Sequence, residues 1–216
     1  MFKMIKNNLI KTIGISILSV VSCYATDKNK KDSINVDSYN IDVTKLDSDD
    51  WNCFDNKSHQ ICIPIQWENQ IVENSVCFSP LNDNDDNTFF VILMHDTNNV
   101  HLNLKGYLQE LYHQLIIDTN EIFTEYTLKE LNFDNKNAYY GEFLTEYNNN
   151  QYFTYAMYTI KNGFLFDFSL KIKNKDKTTF YKIFQNILYN FKTDSNYLFS
   201  EKDELENYKV INIESW

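Results

Sequence analysis

The sequence predicts an α+β domain, an antiparallel β-sheet flanked by two helices. Three observations predict it. Beyond Trp51, apolar residues recur mostly at the two-residue period of strands. Twice that period lengthens to the i, i+3, i+4 spacing of a helix. Asparagine-rich turns, among them Asn162-Gly163, separate the later strand segments, and Asn-Gly is the strongest two-residue hairpin signal.

The elements follow in order. Trp51 opens the strand-rich region, and the short apolar runs His59–Pro64 and Ser75–Ser79 flank Trp67 as a hairpin. Asn82–Asn87 is composed of turn residues. Thr88–Met94 is continuously apolar, as a strand covered on both faces should be. Leu104, Leu108, Leu111 and Leu115 then mark a helix over about 103–117, with Asn103 placed to cap it. Four strands follow: Phe123–Leu131, Asn137–Tyr147, Tyr152–Lys161 and Phe164–Lys173. The third is apolar or aromatic on both faces and is expected to be central. The fourth alternates: Phe164, Phe166, Phe168, Leu170 and Ile172 face one side. Asp167, Ser169, Lys171 and Lys173 face the other, which the pattern assigns to solvent. Asp176 is placed to cap the second helix, whose apolar stripe is Phe180, Ile183, Phe184, Ile187, Leu188 and Phe191. The segment 194–216 is expected to be an acidic tail, with a short strand or helix at Tyr208–Trp216.

The first 22 residues are expected to be a lipoprotein signal peptide. Lys3, Lys6 and Lys11 precede a ten-residue apolar run, Thr12–Val21, followed by Ser22 and Cys23. As a helix that run would be about 15 Å long, half of the roughly 30 Å needed to span a bilayer. A cysteine after a small residue resembles the lipobox of bacterial lipoproteins, in which cleavage before the cysteine precedes acylation of its thiol. Cys23 is therefore the expected lipid-attachment residue, palmitate being one of its acyl groups. The alternative is ordinary cleavage after Ala25 with Cys23 incidental. Residues 23–50 are polar and read as a flexible tether. The domain is expected over 51–193.

Removing residues 1–22 takes three of the 20 lysines and none of the 30 acidic residues, which leaves a net charge of −13. The chain has no arginine. Both facts exclude nucleic acid as an expected partner and argue against bidentate phosphate recognition. Abundant Asn, Lys, Ile, Tyr and Phe reflect an AT-rich coding sequence more simply than they reflect a function.

No catalytic motif appears. His59, His95, His101 and His113 lack metal-ligand spacing, so no metal site or cofactor is expected. Cys53, Cys62 and Cys77 could include a Cys–His nucleophile, but export to an oxidising compartment favours a disulfide. Cys62 and Cys77 are symmetric about Asn69-Gln70, and a regular hairpin would set them opposite each other, which predicts a Cys62–Cys77 bond; Cys53–Cys62 is the alternative. Glu142 and Glu146 share a strand face and could do acid/base work, though a solvated acidic face explains them as well. Tyr139, Tyr140, Tyr147, Tyr152, Tyr155 and Tyr158 could line a ligand groove, or could be cross-strand packing. No catalytic residue is assigned.

Ile63-Pro-Ile-Gln-Trp67, Phe78-Ser-Pro80, the Leu104–Leu115 helix, Asn137-Ala-Tyr-Tyr140, the Tyr152–Ile160 strand and the Phe180–Lys192 helix carry a resemblance. Over about residues 58–193 the chain resembles the Mog1/PsbP-like fold, and within it the bacterial DcrB and PsbP-related lipoproteins. The resemblance implies a three-layer α/β/α sandwich. It implies a protein-binding role too, since such proteins serve as photosystem assembly factors, a small-GTPase regulator, secretion-effector chaperones and envelope lipoproteins. It carries over no active site, because the family shares none.

The expected function is thus that of a cell-envelope lipoprotein, held to a membrane by its N-terminal lipid and facing the periplasm or exterior. Its domain would bind or assemble an unidentified envelope protein without catalysis. A small-ligand or lipid carrier and an immunity-type protein that neutralises a secreted toxin are the alternatives. Nothing in the sequence selects inner or outer membrane.

Overall fold

The computed structural model describes residues 51–56, 58–72, 75–80, 88–97, 102–118, 122–133, 136–199 and 208–212. The expected signal peptide, Cys23, the tether, the Asn82–Asn87 loop and His101 lie outside the described residues. The strands are β1 (Trp51–Asn56), β2 (His59–Pro64), β3 (Trp67–Val72), β4 (Ser75–Pro80) and β5 (Phe89–Asp96). Helix α1 (Leu104–Asp118) follows. Then come β6 (Ile122–Phe133), β7 (Lys136–Tyr147), β8 (Asn150–Lys161) and β9 (Phe164–Lys173). A 3₁₀ turn (Asn174–Asp176) leads into α2 (Lys177–Asn190), and β10 (Lys192–Thr193), β11 (Asn196–Tyr197) and β12 (Tyr208–Ile211) complete the order.

Eight strands form one antiparallel sheet in the order β12-β6-β7-β8-β9-β5-β4-β3. The predicted antiparallel α+β class is what the chain adopts. Three hairpins turn on two residues of positive φ: Asn148-Asn149, Asn162-Gly163 and Asp194-Ser195. Positive φ at both central residues matches the twist of the strands they join, and Asn, Asp and Gly reach it at least steric cost. The Asn162-Gly163 hairpin falls where the sequence put it.

β9 sits between β8 and β5 near the middle of the sheet, and each of its faces is covered by a different helix. Phe166, Phe168, Leu170 and Ile172 belong to the larger core, with Phe180, Ile183, Phe184, Ile187 and Leu188 of α2. Leu165 belongs to a second core with Leu104, Tyr107, Leu108, Leu111 and Tyr112 of α1. The predicted stripe of α2 therefore buries where expected. Phe184 meets Phe90, Tyr140 and Tyr155 at ring distances of 6.4, 6.5 and 5.9 Å. Phe191 stands edge-on to Phe166 and Phe168 at 5.3 and 5.1 Å. The other face of β9 departs from expectation. Asp167, Ser169 and Lys171 are buried at 3, 7 and 9% exposure, so that face is covered and not solvated. Polar alternation reported the face correctly but not its environment, because α1 supplies a roof of its own.

The caps differ between the helices. Asn103 Oδ1 accepts the Lys105 N–H at 3.2 Å, which satisfies one orphan donor of α1. Asp176 occupies the cap position of α2 without a side-chain capping bond. Its φ of −98° and ψ of 1° continue the 3₁₀ turn, whereas a capping residue is normally extended.

A second, four-stranded sheet, β1-β2-β10-β11, packs against α2 through β2. His59 of β2 lies edge-on to Phe164 and Phe166, at 5.4 and 5.5 Å, and stacks on Phe191. This arrangement corrects two expectations. First, β2 and β4 are not partners: β1 pairs with β2 and β3 with β4, so the second hairpin turns after Val72 and not at Asn69-Gln70. Cys62 therefore bonds Cys53, directly opposite it with Cα atoms 4.0 Å apart, and the predicted Cys62–Cys77 pairing is replaced. Cys77 is buried with Phe89 and Val91, on the face of β4 opposite to Phe78, while Cys62 belongs with Phe78 to the larger core. Second, the domain does not stop at 193. The Leu198 N–H donates to the Phe191 carbonyl at 2.9 Å, and Leu198 and Phe199 are buried in the larger core. β12 extends the large sheet beside β6. An acidic average concealed these few apolar residues, which bury like any others.

Two outcomes follow. Phe184→Ala should cost about 3–5 kcal/mol in urea-induced unfolding, because it empties a fully buried ring site between sheet and helix. Peptide mapping of oxidised protein should join Cys53 to Cys62 and leave Cys77 alkylated only after denaturation. Losing that bond by Cys53→Ser should cost about 2–3 kcal/mol for so short a loop. A Cys62–Cys77 peptide would contradict the two-hairpin arrangement.

Candidate functional site

The most unusual chemistry lies between α1 and the large sheet. Strand alternation places Asp167 on the α1 side of β9, in register with Leu93 of β5 and Tyr158 of β8. α1 brings Tyr107 and Tyr112 over it. The Tyr107 hydroxyl donates to Asp167 Oδ2 at 3.4 Å, and the Ser169 hydroxyl donates to Oδ1 at 3.1 Å. The Tyr107 and Tyr158 rings lie 6.5 Å apart. Burial pushes the Asp167 carboxyl up to about 7, and the two hydrogen bonds only partly offset it. Burial also holds the Tyr107, Tyr112 and Tyr158 hydroxyls well above their ordinary range, with the Asp167 charge adding to each. His95, on the same face of β5 as Leu93, is buried too, and its imidazole is pushed below its usual value by loss of water. At 3% exposure Asp167 can exchange a proton, but it offers no surface on which a substrate could sit.

A second polar cluster lies toward the β12 edge. The Lys129 ammonium is 3.2 Å from Glu142 Oε1 and sits over the rings of Tyr208 at 4.5 Å and Tyr140 at 5.2 Å. Burial, with the Glu142 carboxylate beside it, raises the Tyr140 hydroxyl. On the opposite, α1-facing side of β7, the Tyr139 hydroxyl donates to Glu130 at 3.3 Å and is pushed up to about 12 by burial and by that carboxylate. The Lys129 cluster is a cation held among aromatic faces and one acid, an arrangement that ties β12, β6 and β7 together.

The structure disperses most of the residues that the sequence offered for chemistry. His59 packs among phenylalanines, His95 lies beneath α1, and His113 is exposed on α1. Among the described residues no group of three or more His, Cys, Asp or Glu side chains is arranged to hold a metal ion. Glu142 is engaged by Lys129. Tyr139, Tyr140, Tyr152, Tyr155 and Tyr158 are core residues, and of the six tyrosines only Tyr147 is exposed, so they do not form an open groove. The Tyr155 hydroxyl donates to the Lys177 carbonyl at 3.0 Å, tying β8 to the start of α2. Asp167 was not singled out by the sequence. Its signal was present, a carboxylate flanked by Phe166 and Phe168, but alternation alone assigned it to water.

Gly141 positions part of this site. A Cβ there would come within 2.8 Å of the Tyr112 hydroxyl and of two Phe143 ring atoms. Both side chains are buried and packed on each other at 5.3 Å, so neither can swing away freely.

No family model matches the chain, and no curated protein does. Solved structures do. The cyanobacterial PsbP (CyanoP) of Synechocystis sp. PCC 6803 matches with a TM-score of 0.53 at 13% identity, over 67% of this chain and 92% of that one. A protein of unknown function from Pseudomonas aeruginosa matches with a TM-score of 0.41 at 12% identity, over 62% and 91%. LpqN of Mycobacterium tuberculosis, described as involved in cell envelope biogenesis, matches with a TM-score of 0.41 at 9% identity, over 66% and 89%. The likeness to CyanoP shows the fold: this chain is PsbP-like in architecture, as the sequence resemblance implied.

Gly141→Ala should destabilise the domain by about 1–3 kcal/mol, the usual cost of forcing a methyl into a filled core. Urea unfolding measures it, and a change below about 0.5 kcal/mol would mean that α1 stands farther from β7 than described.

Proposed function

We propose that this chain is an envelope lipoprotein, anchored through Cys23, whose PsbP-like domain binds or helps assemble another envelope protein without catalysing a reaction. The observation that carries the reading is the Cys53–Cys62 disulfide. Disulfides persist in oxidising compartments outside the cytoplasm, and that is where the basic–apolar–Ser22-Cys23 leader would deliver the chain. Two further features support it. The leader's ten-residue apolar run is about half the length of a bilayer span, and among the described residues no helix is long and apolar enough to cross a membrane. The Asp167 cluster is closed to substrates, which favours a binding role over an enzymatic one. We read the two helices, one on each face of the sheet, as the three-layer α/β/α arrangement. The carrier alternative loses its main support, because the tyrosines proposed to line a cleft are packed in the core.

Cys23→Ser should abolish palmitate labelling and give an unprocessed or soluble chain on detergent partitioning. Normal processing with unchanged membrane partitioning would refute the anchor. For the binding role, crosslinking in cells should capture an envelope protein with the anchored full chain and not with an anchored segment ending at residue 50. Equal capture by both would refute a role for the domain.

A further inference from the structure

Asp167 is a carboxyl group sealed beneath α1 with hydroxyl donors, and among the described residues no cation faces it. α1 contributes Tyr107 and Tyr112. β8 contributes Tyr158, and β9 contributes Ser169. On β5 the register partner is Leu93, with His95 two residues farther along the same face. On β7 and β6, Tyr139 and Tyr126 complete that face of the core. Lys171, four residues from Asp167 and so roughly 13 Å along the strand, holds its ammonium over the Tyr152 ring at 5.1 Å. A neutral carboxyl is satisfied in this setting. An ionised one is a buried charge whose compensation is two hydroxyl groups, one of them on the helix itself.

We propose that Asp167 makes the docking of α1 proton-dependent: α1 is held tightly while the carboxyl is protonated and loosens from the sheet when it ionises. The coupling follows from topology. Asp167 is fixed in the middle of an eight-stranded sheet, so it cannot reach water by its own movement. α1 is the element that closes this face, and lifting it hydrates the carboxylate.

The sign is set by linkage. The carboxyl is held at about 7 when α1 is docked and returns to its ordinary value near 4 when α1 lifts. Tight docking is therefore fully present below the ordinary value, is lost progressively as pH rises to about 7, and levels off above that. The tyrosines remain neutral throughout this range because theirs are raised. His95 acts in the opposite direction at the acid end, since its value is lowered on docking. Its contribution is common to wild type and to an Asp167 variant and cancels in their comparison.

The test is hydrogen exchange on the full chain, corrected for intrinsic rates, in wild type and Asp167→Asn. Between pH 5 and pH 8, protection of α1 amides in wild type should fall relative to the variant by roughly 100-fold, with α2 amides unchanged. Parallel behaviour of wild type and variant, or an equal loss in α1 and α2, would overturn the proposal. If Asp167→Asn does not fold, the carbon-13 carboxyl resonance of Asp167 in wild type decides. A titration midpoint near neutrality supports the latch, and one in the ordinary aspartate range refutes it.

Discussion

Burial of β9 on both faces is the constraint from which the rest of this domain follows. Four apolar side chains, Phe166, Phe168, Leu170 and Ile172, need a cover on one side, and α2 with the small sheet supplies it. Covering that side alone would leave Leu165 and its neighbours on β5, β7 and β8 exposed, and α1 removes them from water. Burying apolar area is the main favourable term in folding. A strand with large apolar side chains on one face, and Leu165 with the buried Asp167, Ser169 and Lys171 on the other, meets that demand with a helix on each side.

The same constraint creates the tension at Asp167. A central strand cannot shift register to expose one carboxylate without moving every other side chain to the wrong face. The domain instead surrounds the group with hydroxyls from α1 and β9, while burial holds its carboxyl up at about 7. α1 is the natural point of give. It contributes a smaller apolar core than α2, which is also clamped by the second sheet, by His59 and by the Leu198-Phe199 segment. The two helices are thus unequal: one is built into the core and the other closes over a titratable group.

The disulfide stabilises the other end of this arrangement. Among the described residues β1 is the outer strand of the small sheet, with β2 as its sheet partner. Cys53–Cys62 ties that edge to the strand that packs on α2. A covalent tie at a sheet edge limits fraying where hydrogen bonding is one-sided. Such a tie suits a domain that works outside the reducing cytoplasm, and it links the stability of the fold to the proposed location.

Local pattern was enough to place most of the elements. The stripe of α2, the Asn103 cap, the Asn162-Gly163 hairpin and the two-sided burial of β8 depend on neighbours a few residues apart, so spacing and residue type reveal them. What the sequence by itself determined is therefore the α+β class, the alternating faces of β9 and the PsbP-like order of elements. Tertiary structure decided what covered each face and which strands met. Symmetry about Asn69-Gln70 suggested that Cys62 faces Cys77, but β1 intervenes as the true partner of β2, and strand choice depends on the whole sheet. The acidic run after 194 suggested a tail ending in a short strand or helix, yet Leu198 and Phe199 are buried in the larger core, and the expected terminal strand, β12, pairs with β6. Asp167 is the clearest instance. Alternation shows that it shares a face with Ser169 and Lys171, but only the position of α1, brought from some sixty residues away, determines that this face is dry.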